Sequence, residues 1–208
     1  STVFAVEYPK IREVWAAGFR DRIVHHLLYN KISGRFHNRF IHDSYACIPG
    51  KGTHRAVARM EHFSRSVTNN FTTPGFVLKM DVANFFVSIN RLVLDELMTP
   101  HIPEVWWLNL ARLILHRDPV PDAVIVGKPE SMRKVPKHKS LFNAPDNVGL
   151  AIGSLNSQFK ANIVLNVIDQ HAKHKLKLAR YVRYVDDITV FSSDSKHLAT
   201  IPAQIDAV

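Results

Sequence analysis

RYVRYVDDITVFSS, residues 180–193, sets two runs of aromatic and β-branched residues on either side of Val185-Asp186-Asp187. Such residues favour strands, and the short interruption reads as a hairpin with acids at its tip. A second apolar run, FVLKMD at 76–81, also reads as a strand and also closes on a carboxylate, Asp81. Carboxylates flanked so closely by apolar strands are costly unless they lie at an edge or hold a cation. Mg²⁺ suits them, because it takes hard oxygen ligands and keeps waters for substrate phosphates. Two such ions can activate a hydroxyl and stabilise a leaving phosphate oxygen. An Asp-Asp pair in an ordinary hairpin turn is the plainer alternative.

Outward from these strands the order is mixed α/β. TVFAVEYPKIREVWAA reads as two short strands joined at Tyr8-Pro9-Lys10, and helical spacing follows through DRIVHHLLYN. IHDSYACIPGKG is a loop, and Thr53 is placed to cap a helix running to about Val67. Helical patterns recur near 90–98, 103–116 and 154–175. Residues 117–147 form the longest irregular stretch, basic through Lys128, Arg133, Lys134, Lys137, His138 and Lys139. A stretch that long is usually functional or mobile; this one could bind nucleic acid or a partner, or be a solvated insertion. Trp106 and Trp107 are expected in the core, and the adjacent His25 and His26 are read as structural.

The 208 residues carry a net charge of +9 and a pI near 9.8. That balance favours polyanionic partners through counterion release, and plain solubility explains it equally well. Lys51, His54 and Arg55 in GKGTHRA could follow a template backbone beside the open amides of Gly50 and Gly52, or be ordinary surface charge. The single cysteine, Cys47, excludes a disulfide framework and a cysteine zinc site within these residues. It fits a reducing, cytoplasmic setting. No apolar run reaches the ~18 residues of a membrane span. With a strand already at Thr2–Val6, the start reads as a cut boundary.

These blocks resemble the reverse transcriptases, above all the bacterial ones. RYVRYVDDITVFSS is similar to their motif C with its YxDD box, FVLKMDVANFFVSIN (76–90) to motif A, and GLAIGSLNSQFKANIVLN (149–166) to motif B. DRIVHHLLYN with RFIHDSYACIPGKGTHRAV (39–57) resembles a fingers block. The four occur in family order. The resemblance implies an α+β right-hand polymerase fold: fingers at 1–75, and a palm at 76–208 built as a small antiparallel sheet backed by helices. A fingers-side insertion is expected at about 100–153, with the thumb absent and the piece weakly active on its own.

The implied activity is that of an RNA-directed DNA polymerase, with two Mg²⁺ ions (or Mn²⁺) as cofactors. Its partners would be an RNA template, a DNA or RNA primer, dNTPs and an accessory subunit, with no membrane. By resemblance Asp81, Asp186 and Asp187 are the catalytic, metal-holding acids, and the Val82 carbonyl completes a metal shell. Phe86, five positions after Asp81, would be the gate against a ribose 2′-hydroxyl or else a core aromatic, as Phe85 is expected to be. Lys10 and Arg12 would grip the incoming triphosphate, with a solvated basic turn as the alternative; Arg20 and Arg22 are weaker candidates, one of which could simply pair with Asp21 or cap the neighbouring structure. Ile152, Gly153, Ser157 and Gln158 line the nucleotide site, with Gly153 allowing close approach to the nascent base pair. Tyr184 supports the primer end, or simply fills space.

Ile152-Gly153 followed by Ser157-Gln158 departs from the commoner QG…SP pattern, which puts nucleotide selection in question. That variant, with PKHKSLF (136–142), resembles diversity-generating retroelement and defence-associated bacterial lineages. A bacterial or phage retroelement enzyme is the expectation. A CRISPR- or defence-associated enzyme, a template-independent terminal transferase and a non-catalytic nucleic-acid-binding scaffold are the alternatives.

Overall fold

The computed structural model describes residues 1–208, which divide into two compact units. One comprises Ser1–Asn38 and Asn84–Val164; the other comprises Arg39–Ala83 and Leu165–Val208.

In the first unit, β1 (Thr2–Val6) and β2 (Arg12–Ala16) form an antiparallel hairpin, with Thr2 opposite Ala16 and Val6 opposite Arg12. β4 (Val124–Ile125) adds in parallel to β1. Helix α1 (Phe19–His37) buries Leu28, Ile32 and Phe36, a stripe at four-residue spacing. The Phe36 and Tyr29 rings meet Phe159 edge-on, at 5.4 and 5.3 Å between centroids. Phe159 lies on α7 (Leu155–Gln170), whose residues to Val164 belong to this unit.

Between them come α3 (Phe85–Ser88), α4 (Arg91–Met98), α5 (Val105–His116) and the short α6 (Pro129–Arg133). Asn90 caps α4 by accepting from the Leu92 and Val93 amides. Residues 117–147, expected to be irregular, contain β4, α6 and two single 3₁₀ turns. The buried carboxylate of Glu13 organises part of this segment. It accepts from Trp15 Nε1 (2.7 Å), Ser140 Oγ (2.5 Å) and the Leu141 amide (2.9 Å).

Trp106 and Trp107 are not core. Trp106 is 61% exposed on α5, and Trp107 is half-buried with the Lys31 amine 5.7 Å above its ring. Their adjacency on one helix explains the failed expectation, since neighbouring positions cannot face the core together.

The second unit is a three-stranded antiparallel sheet in the order β3-β6-β5: β3 is Phe76–Asp81, β5 Tyr181–Tyr184 and β6 Asp187–Ser192. Strand alternation divides its side chains cleanly. Tyr181, Ile188, Val190, Leu78 and Met80 pack with Leu198, Ile201 and Ile205 of α8 (Ser195–Asp206). Val182, Tyr184 and Phe191 on the opposite face pack with Phe63 and Val67 of α2 (Thr53–Val67). Thr53 does not cap α2. Gly52 occupies the cap position, and the Thr53 hydroxyl meets the Tyr184 hydroxyl at 2.9 Å instead.

Candidate active site

Antiparallel register sets Asp81, the last residue of β3, directly opposite Asp187, the first residue of β6; Asp187 is in turn opposite Tyr184. Asp81, Asp187 and Tyr184 therefore project from one face at one end of the sheet. The strands β5 and β6 are joined by Val185-Asp186 alone, a two-residue hairpin loop. Val185 has φ +54°, a left-handed backbone that a β-branched residue rarely adopts. Strain of this kind persists only when its surroundings enforce it.

The enforcement is visible beneath the turn. Arg183 is wholly buried and donates from Nη1 to the Val185 carbonyl at 2.9 Å. Its Nε and Nη2 reach both oxygens of Asp169, also wholly buried, at 2.7–3.0 Å. The Tyr181 hydroxyl donates to the same carboxylate at 2.7 Å, and burial together with that carboxylate pushes its phenol upward. The main chain of Arg183 is clamped as well: its amide donates to the Asp43 carbonyl (2.9 Å) and its carbonyl accepts from Tyr45 (3.1 Å). The Asp43 carboxylate receives Arg59 at 2.7 Å and Lys173 at 3.0 Å. Burial raises the Asp43 carboxyl, but the bonds from Arg59, His42 and Lys173 outweigh it and hold the group below the ordinary range.

None of these supporting residues stands out in the sequence. The one available signal is Arg183 itself, a cation at a strand position that alternation assigns to the apolar face, on the same side as Tyr181.

Asp81 and Asp187 are exposed and Asp186 is half-buried. Like charges directly opposed across strands repel, so an exposed carboxylate pair in register is chemically suited to a hard divalent cation. The side chains are not gathered into a ready cage of three ligands. Val82 follows β3 as a half-buried residue, before the chain turns at Asn84.

The remaining expected residues are distributed as follows. Lys10 is exposed in the β1–β2 turn, and Arg12 is exposed at the start of β2. The Arg22 guanidinium lies 5.7 Å above the Phe19 ring, and Arg20 is exposed. Phe86 is half-buried against the buried Phe85, and its carbonyl accepts from the Leu150 amide at 2.7 Å. The Ile152 carbonyl accepts from the Trp15 amide at 2.6 Å. Ser157 is buried and Gln158 exposed on the first turn of α7.

Gly153 has φ +119°, and a Cβ there would meet the Trp15 carbonyl oxygen at 2.6 Å. Strand β2 alone therefore requires glycine at this position, without reference to a base pair. Lys51 is placed differently from the expectation that it follows a template. Its amine donates to the carbonyls of His42 (2.5 Å), Ser44 (3.0 Å) and Ile41 (3.4 Å), which accounts for all three of its protons. Burial lowers its pKa. His54 and Arg55 remain exposed in the first turn of α2, and Arg55 lines a shallow groove with His42, Arg59 and His62. Tyr184 is half-buried and tied to Thr53.

No helix is long and apolar enough to cross a membrane. Among solved structures the chain is similar to apo telomerase from Candida tropicalis truncated from the C-terminal domain. The TM-score is 0.58 at 12% identity, over 99% of this chain and 46% of that one. It is also similar to telomerase from Candida albicans in complex with a TWJ fragment of telomeric RNA. There the TM-score is 0.54 at 13% identity, over 97% of this chain and 39% of that one. The chain thus spans less than half of each, and identities this low speak to the fold alone, a mixed α+β fold of small sheets and helices similar to the fingers and palm of those structures. No curated protein sequence matches. A family model described as reverse transcriptase (RNA-dependent DNA polymerase) matches residues 9–207, so the chain belongs to the reverse transcriptase family.

Proposed function

We propose that this chain carries the nucleotide-adding centre of an RNA-directed DNA polymerase, joining a primer 3′-hydroxyl to the α-phosphate of a dNTP. The observation that carries the reading is Asp81 in direct register with Asp187, beside a hairpin loop that presents Asp186. Asp81, Asp186 and Asp187, with the Val82 carbonyl, are the residues that would hold divalent cations. Mg²⁺ in two sites is the expected cofactor, and when bound it would neutralise phosphate charge and acidify the hydroxyl.

The rest is work for the protein's own groups. Lys10 and Arg12 are free of carboxylate partners in the hydrogen bonds and ion pairs described, and are suited to neutralising a triphosphate. Phe86, held by its main-chain bond to Leu150, would exclude a ribose 2′-hydroxyl. Ile152, Gly153, Ser157 and Gln158 would border the nucleotide. His54 and Arg55 would meet template phosphates, while Lys51 shapes their loop from within. Tyr184 would lie by the primer end. The second compact unit is the palm in this reading and the first the fingers, with an RNA template, a DNA or RNA primer and an accessory subunit as partners. The Ile152-Gly153…Ser157-Gln158 variant supports a bacterial retroelement lineage, and the single Cys47 fits a cytoplasmic protein.

Primer extension on an RNA template with Mg²⁺ and dNTPs tests this. Asp186→Ala should abolish extension and leave RNA binding nearly intact. Extension that ignores template sequence would favour a terminal transferase, and RNA binding without extension a scaffold.

A further inference from the structure

Apart from the acids, the first unit encloses a cavity of about 220 Å³. It is bordered by the first turn of α7, the first residue of α4, the end of β2 and the segment from Leu141 to Ala151. Its walls are unusually cationic for an interior. Lys160 is 2% exposed and lines it, as does Arg91, 9% exposed with no hydrogen-bond partner for Nε. Asn156, 2% exposed, lines it with Oδ1 unpartnered while its amide nitrogen donates to the His25 carbonyl. Ser157 is a fourth buried polar wall residue.

Buried charges are normally paired, because an isolated ammonium is expensive to desolvate. Lys160 has no carboxylate of its own. The acid that acts on it is Asp95, whose oxygens are already engaged by Arg112 (2.9 Å), Thr99 (3.1 Å) and His116 (3.3 Å). Burial accordingly lowers the Lys160 amine to about 7. The amides opening α7, a 16-residue helix, contribute the positive end of its dipole on the same wall. Two buried cations, a helix start and a serine hydroxyl all complement negative charge. The unpartnered Asn156 oxygen calls in addition for a proton donor.

We propose that this cavity is a binding site for a phosphate-class oxyanion, protonated on one oxygen, with Lys160 and Arg91 as its counter-ions and Asn156 accepting its hydroxyl. The volume is below the ~300 Å³ at which pockets for drug-sized ligands begin, so the ligand is inorganic phosphate, pyrophosphate or a terminal phosphate of a longer molecule. The exposed Asp118 and Asp146 also line the cavity and would disfavour extended polyanions. The assignment does not depend on the polymerase reading.

Titration calorimetry with inorganic phosphate and with pyrophosphate tests it. Saturable binding is expected, at least about tenfold weaker in Lys160→Met, since hydrogen bonds to charged groups are the strong ones. Absence of saturable binding at millimolar anion, or equal binding by Lys160→Met, overturns the assignment. Should that variant not fold, lysine side-chain NMR of the unaltered protein decides. The Lys160 amine must shift its midpoint upward when phosphate is added, and an unmoved midpoint refutes the site. Competition by a 5′-phosphorylated oligonucleotide would identify a chain-end phosphate as the ligand, and its failure the free ion; both agree with the proposal.

Discussion

The guanidinium of Arg183, wholly buried, donates to the main-chain carbonyl of Val185 at 2.9 Å and so ties a strained turn to the interior. The same guanidinium grips Asp169 through two nitrogens. An Arg183–Asp169 pair without one partner leaves an uncompensated buried charge. Arg183→Met or Asp169→Leu alone should therefore cost about 3–5 kcal/mol in urea unfolding, and the double replacement clearly less than the sum. Additive losses would mean that the two residues act independently.

Gly153→Ala should be markedly worse than Gly127→Ala. Both glycines have positive φ, but an added Cβ meets open space at Gly127 and the Trp15 carbonyl oxygen, at 2.6 Å, at Gly153. The first replacement should cost several kcal/mol, roughly, and the second about 1 kcal/mol. Thermal unfolding of the two variants checks this, and equal losses would contradict it.

Lys160 sets a pH dependence whose sign follows from its lowered pKa, about 7 against the ordinary lysine value of 10.5. Between those values the unfolded chain binds the proton that the folded chain has released. Stability should therefore rise with pH through this window, by roughly 1 kcal/mol per unit, and level off outside it. Lys160→Met should flatten the rise. A wild-type profile already flat from pH 7 to 10 would place the amine in a wetter setting than its burial indicates.

Lys51→Met and Arg55→Ala should separate structure from binding. The first removes three bonds to carbonyls and should lower stability. The second should leave stability alone and reduce the salt dependence of RNA binding by about 0.7 in slope. The reverse pattern would return Lys51 to the template.

The acid-tipped hairpin, and the strand ending at Asp81, are legible because their apolar runs are short, β-branched and cut off by carboxylates. The sequence is quieter wherever one residue type serves two purposes. Lys51 reads as surface charge, yet its loop folds back to surround the amine with carbonyls. Gly153 reads as room for a substrate, and the nearest atom is the Trp15 carbonyl oxygen. Asp169, Glu13 and Lys160 escape notice because their partners lie far along the chain or face a cavity. Spacing within a single helix or strand carries no trace of either.

Carboxylates from β3 and from the β5–β6 turn are expected to engage one group of cations jointly. Paramagnetic broadening by Mn²⁺ in amide NMR spectra tests that most directly. Substoichiometric Mn²⁺ should erase the signals of Asp81, Val82, Asp186 and Asp187 together, and Asp187→Asn should restore all of them. Broadening confined to one strand, or spread evenly over the acidic surface, would contradict a shared site.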